Sequence, residues 1–425
     1  MTGPLTTSLL PADRQAPVLQ LLLGQEPPMW MILAWDLTLI FGVFLGLASV
    51  VGFIAIWGER KIAGRIQARH GPNRVGPFGL LQSLADGIKL ATKEDLAPGR
   101  ADKPLFYIAP YLAFAPVFVA FMALPFGPDF VFDRTLSVSL LWVLAVLGVE
   151  VIGVILAGWA SNNKWSVYGA MREACQLISY EIPLGLSMLV VVLTVGTLDL
   201  GKLSMTQAGG LQDWLVFRQP FTALACVVFF IASLASNKRA PFDLPESDSE
   251  LVAGFHTEYS GLRFSLFFLA EYNAMFVMSG VMAVLFLGSW ADPFGIIARQ
   301  YSAATDWKEI LLWNAVASGV FTTKCAALIL LQMWVRWTLP RPRIDQVLHI
   351  CVKVLVPIAL VMLLGSAVWE LVVPAQSIVG RLTRYVLAAG GVALGVGIIV
   401  MVISAFLTGR KNQQRLGGPW PVGGA

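Results

Sequence analysis

Long apolar runs separated by short polar stretches organise the chain from end to end. Runs near 31–57, 105–126, 136–160, 176–200, 219–236, 263–289, 311–337 and 350–373 are each long enough, or nearly so, to cross a hydrocarbon core as a helix; a further run covers 382–408. The pattern predicts an all-α fold: a polytopic transmembrane helical bundle of eight core spans with a ninth at the C-terminus. Pro116, Pro183 and Pro357 fall inside or near the ends of spans. Proline is compatible with a membrane helix when neighbours satisfy the carbonyls it frees. On this pattern residues 1–28 form an N-terminal extension, 29–373 the membrane domain, and 374–425 an extension with the ninth span and a short basic tail.

The loops alternate in charge. Residues 58–104 carry nine Lys and Arg, from Arg60 to Lys103, and 161–175, 237–263, 338–349 and 409–416 also hold cations. The intervening loops 127–135, 201–218, 290–310 and 374–381 are poorer in them. By the positive-inside rule the basic set faces the cytoplasm and the N-terminus lies outside. One cytoplasmic stretch, "FGLLQSLADGIKLATK" at 78–93, sets Leu80, Leu81, Leu84 and Ile88 on one helical face and Asp86, Lys89 and Lys93 largely on the other. It reads as an amphipathic interfacial helix, which either caps the bundle or walls an entrance for an apolar ligand.

Composition sharpens this. Hydrophobic residues make up 57% of 425 and charged ones only 13%, against about 25% in soluble domains. A net charge of +4 is explained by loop cations and calls for no nucleic acid. Cys175, Cys226, Cys325 and Cys351 are scattered, as are His70, His256 and His349, so no metal or iron–sulfur site is expected in this chain. The first apolar run is too long for a cleaved signal, and its cations follow it.

Three polar groups stand out in so apolar a chain. In "RAPFDLPESDSELVAGFHTEYSG", Asp243, Glu246, Asp248, Glu250 and Glu258 fall within sixteen residues. "DLPE" looks like a capping box, with Asp243 as N-cap, and a continuing helix sets Glu246, Glu250 and Glu258 on one stripe. Such a stripe is either a solvated face or, given the Phe242, Leu251, Phe255 and Tyr259 around it, a set of carboxylates with coupled proton affinities. Glu150, Glu181 and Lys324 lie within apolar runs, where an ionisable group marks a proton or ion path unless it is a buried pair or a snorkelling end. "GERKIAGRIQARHGPNRVGP" at 58–77 combines many cations with Gly-Pro punctuation that fixes a turn.

These blocks, with "AGWASNNKWSVYGAMREACQLISYEIPLG" and "LPRPRIDQ", resemble in order and spacing the H-subunit family of proton-pumping NADH:quinone oxidoreductase, respiratory complex I. The resemblance spans residues 31 to 373. It implies a non-redox membrane subunit, not catalytic alone, that forms a quinone chamber with peripheral-arm subunits and touches small and antiporter-like membrane subunits. Quinone would be substrate, with no flavin, cluster or metal held here. Carried over by motif, Arg60, Arg65, Gln67, Arg69 and Asp243 belong to the quinone chamber. Glu181, Glu246, Asp248, Glu250, Glu258 and Lys324 belong to proton coupling.

Three departures matter. Where the family often reads A-E-T-N-R, this chain reads Ala235-Ser236-Asn237-Lys238-Arg239, so the usual acid is Ser236. Glu150 stands where a small or apolar residue is frequent, which makes it a candidate replacement in the coupling set. Asp248 stands for a usual Glu. Two other readings stay open on sequence alone. One is the membrane anchor of an energy-converting hydrogenase or ferredoxin-dependent relative. The other is a stand-alone secondary transporter, against which stands the lack of an internal repeat.

Overall fold

The computed structural model describes residues 45–130, 137–245, 248–304, 306–373 and 377–415. Its principal elements are ten helices: α1 (Leu45–Ile66), α2 (Gln82–Thr92), α3 (Lys103–Ala120), α4 (Ser139–Ala160), α5 (Lys164–Val195), α6 (Pro220–Ser236), α7 (Gly261–Phe286), α8 (Trp307–Thr338), α9 (Val356–Val372) and α10 (Ile378–Arg415). Short helical turns join them, and no strand occurs among the described residues.

Among the described residues, six helices have the length and apolarity to cross a membrane: Lys103–Ala123, Ser139–Ala160, Lys164–Val195, Gly261–Phe286, Lys308–Thr338 and Ile344–Val372. The fifth expected span, α6, has only 17 residues, roughly 26 Å at 1.5 Å per residue, a little short of a bilayer core. The first expected span enters the described residues only at Leu45, and the ninth run lies within α10.

The largest departure from the sequence pattern is α5. It starts at Lys164, twelve residues before the expected 176, because Asn163 caps it by accepting a hydrogen bond from the Trp165 backbone N–H. The polar stretch 164–175 is therefore helix rather than loop. At the other end Gly196, at φ 79°, stops it in a left-handed turn.

The bundle is built around α7. Nearly every residue from Ala270 to Phe286 is buried, consistent with a helix apolar on all sides. The helices α3 to α6 and α8 enclose one continuous core that includes Phe121, Phe229, Phe276, Phe286 and Phe321.

Two prolines inside the spans are compensated by side chains from elsewhere in the fold. Pro183 frees the carbonyl of Ser179, and the Cys351 thiol donates to it at 2.9 Å. Pro110 in α3 frees the carbonyl of Phe106, which accepts from the Tyr259 hydroxyl at 3.3 Å. Pro357 follows a π-helical turn, Ile350–Leu355, that continues the short helix Ile344–His349. Cys351 and Tyr259 thus do more than fill space: each completes a helix broken by proline.

Candidate functional site: a buried ion network under the 235–243 turn

The chain leaves α6 at Ser236 and turns sharply. Asn237 is buried, and Lys238 takes a left-handed φ of 55° that asparagine or glycine adopts more readily than lysine. Gln176 on α5 staples this turn, donating from Nε2 to the carbonyls of Ala235 and Phe242, both at 2.8 Å. The turn drives two cations inward.

Lys238 Nζ lies 2.9 Å from Glu150 on α4 and 2.5 Å from Glu173 on α5. Arg239 lies 3.0 Å from Glu59 on α1 and 2.9 Å from Glu271 on α7. Its guanidinium carbon also sits 4.2 Å from the centre of the Tyr272 ring. Glu59 further accepts from the Tyr272 hydroxyl at 2.7 Å and pairs with Arg336 of α8. Arg341 reaches Asp243 at 3.3 Å. Carboxylates from α1, α4, α5 and α7 therefore meet at one turn, all of them buried. Buried carboxylates are costly unless paired, so the turn and the four helices hold one another in place.

Asp243 is not a helix cap. Burial, reinforced by the nearby Glu271 carboxylate, pushes its carboxyl up to about 6 against the pull of Arg341, Arg336 and Arg239. Between about pH 4 and 6 the folded chain then keeps a proton that the unfolded chain has lost, so this group's contribution to stability falls as pH rises through that window. We expect Asp243→Asn to flatten the pH dependence of thermal unfolding there. An unchanged slope would show that Asp243 titrates as an ordinary surface acid.

The expected carboxylate stripe is absent. The helix after the turn, Asp248–Leu251, is four residues long, and Val252 and Gly254 take positive φ, which ends it. Glu250 pairs instead with Arg172 of α5, largely in solvent. Glu258 accepts from Asn163 Nδ2 at 2.7 Å, tying the loop to the residue that caps α5. Gly169 makes this docking possible, since a β-carbon there would stand 2.7 Å from the Phe255 nitrogen. Glu246 and the side chain of Asp248 lie outside the described residues.

The other expected residues fall into separate places. Arg60, Arg65, Gln67 and Arg69 are exposed at the end of α1 and in the turn after it. Arg60 pairs with Asp86 of α2, whose carboxyl Arg60 holds below the usual range despite partial burial, and Arg69 donates from Nε to Gln67 at 2.6 Å. The Gly-Pro punctuation acts as a clasp. Gly79, at φ 75°, has no room for a side chain: a β-carbon would stand 2.1 Å from the Pro72 carbonyl. Helix α2 packs on α1 and α7, yet Leu80, Leu81, Leu84 and Ile88 remain exposed. Glu181 is exposed on α5.

Lys324 stands apart in kind. Its ammonium donates to the carbonyls of Leu287, Ser289 and Ala291 at 2.6, 2.9 and 2.7 Å, just past the end of α7, and lies 4.3 Å from the centre of the Trp214 ring. All three of its protons are used in closing that helix end.

The sequence pattern did not mark Glu59, Glu173, Glu271, Lys238, Arg239 and Arg336 as members of the network. Glu271 carried the same signal as Glu150, a carboxylate inside an apolar run. Glu59, Glu173, Lys238 and Arg239 fell in expected loops and Arg336 at the end of an expected span, and only the fold turns them inward.

Residues 38–367 match the profile of the family described as NADH dehydrogenase. The chain belongs to this family. Its relatives include the NADH-quinone oxidoreductase H subunit of Chlorobium luteolum, 44% identical over 337 residues, covering 78% of this chain and 88% of that protein. The corresponding H subunit of Anaeromyxobacter dehalogenans is 39% identical over 393 residues, 92% of each chain. That of Bacillus cytotoxicus is 45% identical over 328 residues, 75% of this chain and 92% of that one. The family match begins and ends close to the bounds of the expected membrane domain and stops short of α10.

Proposed function

We propose that this chain is the quinone-chamber membrane subunit of a proton-translocating NADH:quinone oxidoreductase, in a bacterial inner membrane with its N-terminus outside. The observation that carries the reading is the buried network beneath residues 235–243. Glu59, the chain neighbour of Arg60 in the exposed cationic stretch Arg60 to Arg69, pairs with Arg239 and Arg336, Arg239 pairs in turn with Glu271, and the adjacent Lys238 pairs with Glu150 and Glu173. A charge change at a quinone near that turn would be felt through Glu59 and Arg239 with little screening, because the intervening groups are buried. The chain itself supplies no redox centre in this reading. Quinone is the substrate, and electrons come from a peripheral-arm partner docked on the face that presents α2 and the 58–77 turn. Neighbouring small and antiporter-like membrane subunits would receive the signal.

The test is removal of the gene, followed by assay of NADH-driven quinone reduction and acidification in membrane vesicles. Loss of both is expected; normal quinone reduction would sink the reading. A hydrogenase anchor would instead lose hydrogen- or ferredoxin-driven activity. Within the chain, Glu250→Gln is expected to leave assembly normal, because an exposed pair such as Glu250–Arg172 contributes only about 0–1 kcal/mol. It should lower quinone reductase activity or pumping if the loop takes part in coupling. Normal rates in both assays would assign Glu250 to a solvated surface.

A further inference from the structure

Two of the three departures from A-E-T-N-R, Ser236 and Lys238, meet a further residue, Glu150, in space. Ser236 lines a cavity of about 20 Å³ whose other polar walls are Glu150, Glu181 and Asn237. That is room for about one water molecule, and four polar groups suffice to hold it. Lys238 is buried and sits between Glu150 at 2.9 Å and Glu173 at 2.5 Å, so two carboxylates compete for one ammonium. Its left-handed backbone is one that asparagine accepts at lower cost. The ammonium at this position offsets two buried carboxylates, which an asparagine amide could not.

Glu181 looks the other way. It belongs to the cavity but is exposed on the outer side of α5, and Gly148 on α4 leaves space beside its carboxyl. The cavity therefore lies between Glu150 of the buried network and Glu181, which is exposed on the outer side of α5.

We propose that in this chain the proton path past position 236 runs from Glu150 to Glu181 through one water held at the Ser236 hydroxyl, with Lys238 as the switching counter-ion. The proposal rests on the proton-coupling reading above. In one state Glu150 carries the proton and the ammonium is bonded to Glu173. When the O–H bond of Glu150 breaks, its proton passes to the water as the water gives one to Glu181. The ammonium then moves to the new Glu150 carboxylate. One O–H bond is lost and one gained, Lys238 stays protonated throughout, and no redox partner is involved. A serine hydroxyl can both donate and accept, so it can orient such a water, but it cannot store the proton.

The experiment uses the assembled complex in native membrane vesicles, with quinone reduction and acidification measured together. The first variant is Glu150→Gln with Lys238→Asn, which removes one charge of each sign and keeps the net charge. The second adds Ser236→Glu, returning a carboxylate to the lining of the same cavity. The first is expected to lower acidification per quinone reduced by about tenfold or more, the scale of losing a positioned proton carrier. The second should recover much of it, a rescue that a purely structural role of the ion pair would not give. Normal pumping by the first variant overturns the proposal, as does a second variant no better than the first. If neither variant assembles, the pair is a folding element and the proposal also fails; assembly and pumping by the second alone would support it. Wild-type vesicles that show no NADH-driven, quinone-dependent acidification would instead defeat the functional reading beneath it.

Discussion

Arg239→Met is expected to prevent accumulation of the folded chain. The substitution keeps much of the side chain's volume but leaves Glu59 and Glu271 short of their shared cation in a buried site. Breaking a buried pair from one side costs about 3–5 kcal/mol, a large part of what holds a typical fold together. Arg239 joins two carboxylates and stacks on Tyr272, so its loss should fall at or above the upper end. Quantifying the protein in membranes, and the melting of purified complex, measures this directly. The cause can be separated from simple misfit by adding Glu59→Gln and Glu271→Gln, which remove the uncompensated charge. Partial recovery in that triple variant is expected; none would show that packing around the guanidinium, rather than charge, is what matters. Arg239→Lys should recover only part, because an ammonium lacks the planar guanidinium with which Arg239 reaches both carboxylates while stacking on Tyr272.

Lys324→Met is the second large effect. Three carbonyls following α7 lose a charged donor at once, in a partly buried site where hydrogen bonds to charged groups are worth about 1.5–3 kcal/mol each. Even with relaxation we expect a loss of at least about 3 kcal/mol, seen as a lower melting temperature of the purified complex. Lys324→Arg should help only in part, since a planar guanidinium does not suit three carbonyls converging on a point. A Met variant with wild-type stability and impaired pumping would instead restore Lys324 to a proton path. The two assays thus decide between a cap and a carrier for a residue whose place in mid-span suggested the latter.

The acidic loop shows how one local break redirects a reading. A carboxylate every four residues defines a stripe only if the helix continues, and Val252 and Gly254 end it after one turn. Asp243 then becomes a buried partner of Arg341, Glu250 a surface partner of Arg172, and Glu258 a brace on Asn163. The expected cap and two members of the expected stripe thus acquire three separate partners. The short helix was invisible beforehand because nothing in "ELVAGF" forbids a helix except a glycine, and single glycines are common inside helices.

By itself the sequence determined the helical membrane class, most span positions, the proline sites that needed help, and the family blocks. Each follows from one-dimensional rules: apolar run length against bilayer thickness, the missing proline N–H, motif order. Only the tertiary structure decided which charges are buried and whom they face. Lys238 and Arg239 follow a span and read as ordinary loop cations, yet a left-handed turn sends them inward to four helices. Lys324 reads as a charge in mid-membrane, yet the carbonyls that follow α7 receive all its protons. A charge's cost and role depend on the groups within a few ångströms of it, and those come from distant parts of the chain.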